Sequence, residues 1–245
     1  MITKPALTNN STHMRQSVVA FADALGTKAS TCSELTSKTF LGQLQTATDL
    51  VCQRLNGIGR LYDIQVRWFS DSIAMSVNFD DSSQLAELLE NLAFVQAGYA
   101  LNGIFLRGAV TTGLHYHSEF IDYGPALSEA VTLEQSTAGD TTRIVLSPHL
   151  QHDLRAFGPP RLSIPVLADL GDDAYFLDFL GALDPASRPV LRDQIEASYT
   201  AAKALGNARV IQKLAWLISY YNWRTKPPKR LRYGLSRDFS ELFKI

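Results

Sequence analysis

The chain has 245 residues, 46% of them hydrophobic, enough to bury a sizeable core in one large domain or a domain with a helical extension. Its 23 basic and 24 acidic residues give a formal net charge of -1, which provides no electrostatic argument for a nucleic-acid partner. Cys32 and Cys52 lack the spacing of metal ligands, and we expect both thiols to be reduced. No apolar run approaches the roughly 20 residues that cross a bilayer, and residues 1–14 are polar, so a cytoplasmic protein without membrane partners is predicted.

The first part of the chain alternates strand and helix patterns. An apolar, β-rich run predicts a first strand over about 17–22, and apolar residues at helical spacing predict a helix over about 40–55. Two short β-rich runs, 64–69 and 73–79, are separated only by residues 70–72, which is typical of a hairpin.

A second helix and a fourth strand complete this pattern. The helix is predicted over 85–101 and ends at Asn102 and Gly103, and the strand is predicted over 104–112. The order β-α-β-β-α-β is that of the ferredoxin-like split βαβ motif. We therefore predict an α/β (α+β) fold in which helices flank a mixed or antiparallel sheet.

The rest of the chain is less regular and includes an irregular segment that contains histidines. The predicted elements are a helix from Pro125 to about Thr137, strands over 143–147, 162–166 and 174–179, and helix over 189–223 broken near Gly206. The predicted organisation is a tail (1–16), a core (17–160) and a C-terminal helical extension of the same domain (161–245).

Two aspartates occupy positions typical of a metal site. Asp23 follows the first strand and precedes a turn that contains Gly26, and Asp71 lies at the tip of the hairpin. Hard cations take oxygen ligands, so two strand-borne carboxylates near a turn suit a pair of Mg²⁺ ions that hold a triphosphate. A single aspartate more often forms a turn, but the joint placement of two favours the metal site.

Three segments resemble the class III nucleotidyl cyclases. They are Phe-Ala-Asp-Ala-Leu-Gly at 21–26, Phe-Ser-Asp-Ser at 69–72 and Leu-Arg-Gly-Ala-Val-Thr-Thr-Gly at 106–113. In that family they are the first metal aspartate, the second metal aspartate in a hairpin, and the strand before the dimer-facing loop. The resemblance covers residues 17 to about 147, and within the family the chain is most similar to the pyrimidine cyclases of the bacterial Pycsar antiphage defence.

The expected chemistry is an in-line attack of a ribose 3′-hydroxyl on the α-phosphorus, with pyrophosphate as the leaving group. Asp23 and Asp71 are expected to ligate two Mg²⁺ or Mn²⁺ ions, with a further oxygen from the carbonyl of Ala24. A glycine-containing turn before a helix points donors at anions. The β- and γ-phosphates are therefore expected to meet the backbone amides of Leu25, Gly26 and Thr27.

Arg67 lies four residues before Asp71, where the resemblance places a base-reading residue. Its guanidinium donates hydrogen bonds and accepts none, so it fits a carbonyl edge of uracil better than an exocyclic amine. The alternative is a surface arginine that pairs with a carboxylate such as Asp63.

The last motif departs from the family. Where many class III cyclases carry an Asn and, four residues later, an Arg, this chain has Ser128 and Thr132. Ser128 is expected either to orient the ribose or to be an ordinary helix-face serine, and the positive charge must come from elsewhere. Asp122 is expected to meet a base or a partner loop, or to form a turn beside Tyr123.

Other polar and aromatic groups have simpler interpretations. His115 and His117 could bind a metal ion, since histidine is a common metal ligand. Because no further His or Cys lies nearby in the sequence, we favour a position on an exposed strand face. Residues 171–173, Gly-Asp-Asp, are interpreted as a turn. The aromatic cluster near the C-terminus is interpreted as a helix packing face: Trp216, Tyr220, Tyr221 and Trp223.

The predicted function is that of a uridylate cyclase, which converts UTP to 3′,5′-cyclic UMP and pyrophosphate by two-metal catalysis. The resemblance implies a homodimer with composite active sites, whose product is sensed by a separate effector protein in antiphage defence. The enzyme alternatives are a cytidylate or purine nucleotide cyclase, or an unrelated metal-dependent phosphotransfer enzyme. The alternative from another class is a catalytically degenerate, cyclase-like module that binds nucleotide.

Overall fold

The computed structural model describes residues 13–25, 34–57, 64–118, 120–136, 138, 141–150, 166–169, 172, 174–225 and 235–238. The strands are β1 (Arg15–Ala24), β2 (Gln65–Phe69), β3 (Ser72–Asn78), β4 (Leu106–His117), β5 (Asp122–Tyr123), β6 (Ile144–Leu146), β7 (Val166–Asp169), β8 (Ala174–Leu177) and β9 (Leu235–Asp238). The helices are α1 (Glu34–Gly57), α2 (Ser82–Leu101), α3 (Pro125–Ser136), α4 (Phe179–Ala182), α5 (Arg188–Ala204) and α6 (Ala208–Thr225), with a 3₁₀ turn at Pro185–Ser187. None of the helices in these segments is long and apolar enough to cross a membrane.

The strands form one mixed sheet in the order β2-β3-β1-β4-β6-β8-β7-β9, and β5 pairs with the end of β4. The first four strands pair with one another in antiparallel fashion. Their order, with α1 and α2 as the crossovers, is that of the ferredoxin-like split βαβ motif, which confirms the predicted fold class. β6 then joins β4 in parallel, and β7 and β8 extend the same sheet.

The two central strands are longer than the sequence predicted. β1 pairs with β4 along its whole length of 10 residues, from Arg15 opposite His115 to Ala24 opposite Leu106. The segment that contains His115 and His117, predicted to be irregular, is therefore part of a strand. Continuous pairing with β1 and then with β5 satisfies its backbone groups.

The two faces of the sheet are covered by different elements. The even-numbered residues of β1, such as Val18 and Ala20, belong to the main apolar core, which also contains buried residues of α1 and α2. Odd-numbered residues point the other way, because side chains alternate along a strand. We call this second side the α3 face, since α3 runs along it: Ala126 lies against Gly113, and Glu134 contacts Arg107.

The C-terminal part largely follows the prediction. The long helix is interrupted at Gly206, whose φ of 63° lies in the left-handed region that favours glycine, and α5 and α6 flank it. The predicted strand over 162–166 is found at Val166–Asp169, with residues 162–165 outside the described segments. The predicted boundary near residue 160 also lies outside them.

The aromatic residues of α6 do form a packing face. The rings of Trp216 and Tyr220 both meet Phe176 of β8, at centroid distances of 5.3 and 5.4 Å. The buried Tyr220 hydroxyl donates to Asp178, and the other oxygen of Asp178 accepts from Arg224 Nε at 3.0 Å. This network joins α6 to the loop after β8.

Arg143 connects β6 with β7 and the turn that follows it. Its guanidinium is buried and donates to Asp169 Oδ2 at 2.6 Å, and it also pairs with Asp172. Asp172 lies in a turn, as the sequence predicted, while its neighbours Gly171 and Asp173 are outside the described segments.

Candidate functional site

Asp23 lies near the end of β1, on the α3 face, between a serine and an arginine. Ser72 of β3 and Arg107 of β4 pair with it on either side. Ser72 Oγ donates to Asp23 Oδ1 at 2.9 Å, and Arg107 Nη2 lies 3.5 Å from Oδ2. The side chain is 22% exposed, so the carboxylate is held in place while part of it faces solvent.

Asp71 lies in the β2–β3 turn, directly before Ser72. The preceding Ser70 has a φ of 58°, in the left-handed region, which makes the turn tight. The backbone carbonyl of Asp71 accepts a hydrogen bond from the amide of Ala24 at 3.1 Å. This bond fixes the tip of the hairpin against the end of β1, so the structure brings Asp71 and Asp23 to the same corner of the sheet.

The predicted phosphate-binding amides are only partly described. The Leu25 amide donates to the carbonyl of Phe105 at 2.8 Å, because hydrogen bonding between the two central strands continues one residue beyond Ala24. This donor is therefore occupied in the structure, and the expectation that it holds a phosphate is not supported. Gly26 and Thr27 lie outside the described residues.

Two further residues lie at this site, Glu134 and Arg107, and the sequence pattern predicted a role for neither of them. Glu134 is 3% exposed, and its Oε1 lies 2.6 Å from Arg107 Nε. Burial raises the pKa of Glu134, the positive charge of Arg107 opposes that rise, and the negative charge of Asp23 adds to it. The sequence did contain a sign that Glu134 is buried. It follows Ala126 and Ala130 at intervals of four residues, and so lies on the same buried side of α3.

We call these five residues the Asp23 cluster: Asp23, Asp71, Ser72, Arg107 and Glu134. Arg107 lies closer to Glu134 than to Asp23, at 2.6 Å against 3.5 Å. Glu134 is thus the closer ion-pair partner of the Arg107 guanidinium.

A second cluster lies around Asp122, where β5 pairs with β4. Arg67 Nε lies 3.5 Å from Asp122 Oδ2, and Arg67 Nη2 donates to the carbonyl of Ser118 at 2.5 Å. The other carboxylate oxygen, Asp122 Oδ1, lies 2.6 Å from His115 Nε2 and 3.5 Å from His117 Nδ1. We call these residues the Asp122 cluster: Arg67, His115, His117, Ser118 and Asp122.

The Asp122 cluster corrects two interpretations from the sequence. His115 and His117 do not lie on an exposed strand face, because their side chains are 2% and 18% exposed and both face Asp122. Asp122 is more than a turn residue, since its 9% exposed carboxylate meets Arg67 as well. Asp63, the partner first considered for Arg67, lies outside the described residues.

Asp122 remains ionised despite its burial. Desolvation alone favours the neutral acid, but hydrogen bonding and charge from His115, with further contributions from His117, outweigh it and hold the pKa of Asp122 below its ordinary value. The cluster is thus organised around a carboxylate.

Ser128 is not brought to the Asp23 cluster of its own chain. It is exposed on α3, and its hydroxyl donates to the carbonyl of Gly124 at 3.3 Å. It precedes Glu134 by six residues, about 9 Å along the helix and on a different side of it. The Thr132 hydroxyl is likewise bonded within α3, to the Ser128 carbonyl at 2.9 Å.

Large apolar side chains are exposed close to both clusters. Phe69, beside the Asp71 turn, is 42% exposed and stacks on Phe21 at a centroid distance of 6.0 Å. Three more lie in or beside the β4–β5 turn: Phe120, Ile121 and Tyr123. Exposed apolar groups that adjoin polar clusters are typical of contact surfaces.

No protein-family model and no curated protein matches the sequence. Among solved structures, the fold is similar to that of the adenylyl cyclase CyaB from P. aeruginosa, with 12% identity and a TM-score of 0.47, over 67% of this chain and 94% of that one. A bacterial light-regulated adenylyl cyclase matches with 11% identity and a TM-score of 0.47, and the match spans 75% of this chain but only 57% of that one. An adenylate/guanylate cyclase/hydrolase from Silicibacter pomeroyi matches with 15% identity and a TM-score of 0.42, over 67% of this chain and 95% of that one. At these levels of similarity, function has to be inferred from the side chains of this chain.

Proposed function

We propose that the protein is a nucleotidyl cyclase that converts UTP to 3′,5′-cyclic UMP and pyrophosphate. The observation that carries this proposal is the corner at which Asp23 and Asp71 meet, fixed by the 3.1 Å hydrogen bond from Ala24 to the Asp71 carbonyl. Asp23 at the end of β1 and Asp71 in the β2–β3 turn, both partly open to solvent, offer carboxylate oxygens as candidate donors at this corner.

That donor set fits Mg²⁺ or Mn²⁺. Hard cations prefer oxygen ligands, and we propose that Asp23 and Asp71 hold them, with the carbonyl of Ala24 as a third donor. A pair of such ions, when bound, lowers the pKa of the attacking hydroxyl and offsets charge on the phosphates. Arg107 supplies a positive charge at the same corner, where Ser128 and Thr132 supply none.

The Asp122 cluster favours uracil as the base. Uracil presents the carbonyl O4 beside N3–H, and the pair of Arg67 and Asp122 offers a donor beside an acceptor. Cytosine reverses both groups, with an amine at position 4 and an acceptor at N3, so it would face two mismatched partners. The edge of guanine presents the same pattern as uracil, which makes GTP the second candidate substrate.

We further propose that the active enzyme is a homodimer with composite sites. Within one chain, Arg67 reaches towards Asp122, and the strand register places it opposite Ala74 rather than at the Asp23 corner. A two-fold dimer formed by the α3 face would bring one copy's Asp23 cluster to the other's Asp122 cluster. The exposed Phe69 and Tyr123 lie where such a contact would cover them. Use of the product as a messenger for a separate effector in antiphage defence is proposed from the sequence resemblance alone.

The decisive experiment incubates purified protein with each of the four nucleoside triphosphates and Mn²⁺, followed by mass spectrometry of the products. We expect cyclic UMP and pyrophosphate, lost in Asp23→Asn and in Asp71→Asn because each removes a charge from the cation site. Asp49→Asn, at an exposed position on α1, is the matched control and should keep full activity. Circular dichroism should show an unchanged fold in all three variants.

Each other outcome points to a different conclusion. Turnover like the wild type in folded Asp23→Asn or Asp71→Asn would exclude the two-metal assignment. Preference for ATP or CTP would overturn the choice of uracil, and nucleotide binding without any product would favour the degenerate module.

The composite site has a separate test. Asp71→Asn chains mixed with Arg67→Ala chains should recover activity, with roughly one competent site per mixed dimer. A mixture that stays inactive after verified subunit exchange would contradict the composite arrangement.

A further inference from the structure

We propose that His115, His117 and Asp122 form a binding site for one transition-metal ion of the Zn²⁺ class, separate from the cation site at Asp23 and Asp71. One ligand atom from each residue can be chosen so that all three lie within 4.8 Å of one another. His115 Nε2 and His117 Nδ1 lie 2.6 and 3.5 Å from the same carboxylate oxygen, Asp122 Oδ1. Small side-chain adjustments would place these three atoms around one ion.

The buried polar atoms of this group meet chiefly one another, in close contacts that are not well-aligned hydrogen bonds. His115 is 3% exposed, yet neither of its ring nitrogens makes a well-aligned hydrogen bond within the described segments. The same holds for His117 Nδ1 and Asp122 Oδ1. Buried polar atoms are rarely left in this state, because each loses its bonds to water on folding. A metal ion would satisfy three of these atoms at once.

The donor set indicates which ion would bind. Two imidazoles and one carboxylate suit Zn²⁺, Co²⁺ or Fe²⁺, whereas Mg²⁺ prefers oxygen ligands alone. Three protein ligands leave at least one coordination position for water. This separates the site chemically from the all-oxygen corner at Asp23.

The backbone holds these ligands in place. His115 and His117 are two residues apart on β4 and therefore point to the same side, and Asp122 of β5 pairs directly opposite His117. Arg67 contacts Oδ2, the carboxylate oxygen that the histidines leave free, and so orients the ligand as outer-sphere partners commonly do. Its positive charge partly offsets the carboxylate, so we expect moderate rather than extreme affinity.

The test measures metal binding by untagged protein without nucleotide. Co²⁺ is titrated in the presence of excess Mg²⁺, which occupies the oxygen-rich corner, and visible absorption reports nitrogen coordination. We expect one ion per chain, displaced by Zn²⁺. His117→Gln and Asp122→Asn should each weaken Co²⁺ binding by more than roughly 10- to 100-fold, which is the loss of affinity typical when an outer-sphere partner is removed. His117 is chosen because its partial exposure makes a folded variant attainable.

Two control variants locate the site. His149→Gln, at an exposed histidine, and Asp71→Asn, in the other cluster, should both bind Co²⁺ like the wild type. The proposal is overturned if the wild type takes up no Co²⁺, if His117→Gln and Asp122→Asn bind unchanged, or if Asp71→Asn loses the ion. Because no nucleotide is used, these measurements do not test turnover, so failure of the metal proposal is distinguishable from failure of the cyclase proposal.

Discussion

Replacing Arg107 by Met should destabilise the protein, because it removes the paired cation of the buried Glu134 and leaves that carboxylate with the positive charge of Lys213 alone. Removing one partner of a buried ion pair costs about 3–5 kcal/mol. Glu134 has a side chain only 4% exposed, while that of Arg107 is 19% exposed, so we expect a cost near the lower end, about 3 kcal/mol at pH 7. Asp23 loses a neighbouring positive charge in the same variant.

The pH dependence follows from the raised pKa of Glu134. Burial makes the folded state retain this proton at pH values where the unfolded chain has lost it, so stability falls as pH rises from the ordinary pKa through the raised one. Without Arg107 the folded-state pKa rises further. The cost of Arg107→Met should therefore shrink as pH is lowered through the raised pKa towards the ordinary pKa of a glutamic acid, because a neutral Glu134 no longer needs the guanidinium.

Urea unfolding followed by circular dichroism at several pH values measures this effect. The double variant Arg107→Met with Glu134→Gln should be more stable than Arg107→Met alone, because the unpaired buried charge is gone. Arg192→Met is the control, since that arginine pairs with Asp193 at an exposed position and should matter little. The reasoning is refuted if Arg107→Met is as mild as the control, if its cost grows at lower pH, or if Glu134→Gln brings no recovery.

Three further predictions concern the base, the C-terminal network and the sheet. Arg67→Ala should lower UTP turnover by roughly ten- to a hundredfold and shift the product ratio in a UTP and CTP competition, and an unchanged ratio would mean that another residue selects the base. Tyr220→Phe should cost about 1.5–3 kcal/mol in urea unfolding, because the buried Asp178 loses a hydrogen-bond donor, and a loss below this range would show that water replaces the hydroxyl. Gly108→Ala should cost about 1–3 kcal/mol or more in the same assay, since a Cβ there would clash with the backbone carbonyl of Phe21, and an unchanged midpoint would contradict this close approach of β4 to β1.

The elements that the sequence predicted are those encoded by local pattern. The hairpin around Asp71 and the end of α2 just before Asn102 and Gly103 depend on turn residues next to apolar runs, and both were placed correctly. The extension of β4 to His117 was missed because two histidines in four residues look like a polar loop. Their burial depends on Asp122, which reaches them only through pairing of β5.

The same distinction holds for the candidate site. Asp23 and Asp71 stand at strand ends that local pattern and family resemblance both indicate. The interaction of Arg107 with Glu134 joins β4 to α3 across 27 positions of sequence, and no local rule predicts such a pair. Contacts between distant segments therefore account for most of what the sequence left open.

The length of β4 has a consequence for how this chain tolerates insertions and deletions. Arg107, His115 and His117 all occupy odd positions of one continuous strand. Because side chains alternate between the two faces of the sheet along a strand, residues of both clusters lie on the same face. Adding or removing one residue between 108 and 114 would turn one cluster to the opposite face of the sheet while leaving the other in place. Among descendants of this sequence, the spacing along β4 should stay fixed even where its residue types change.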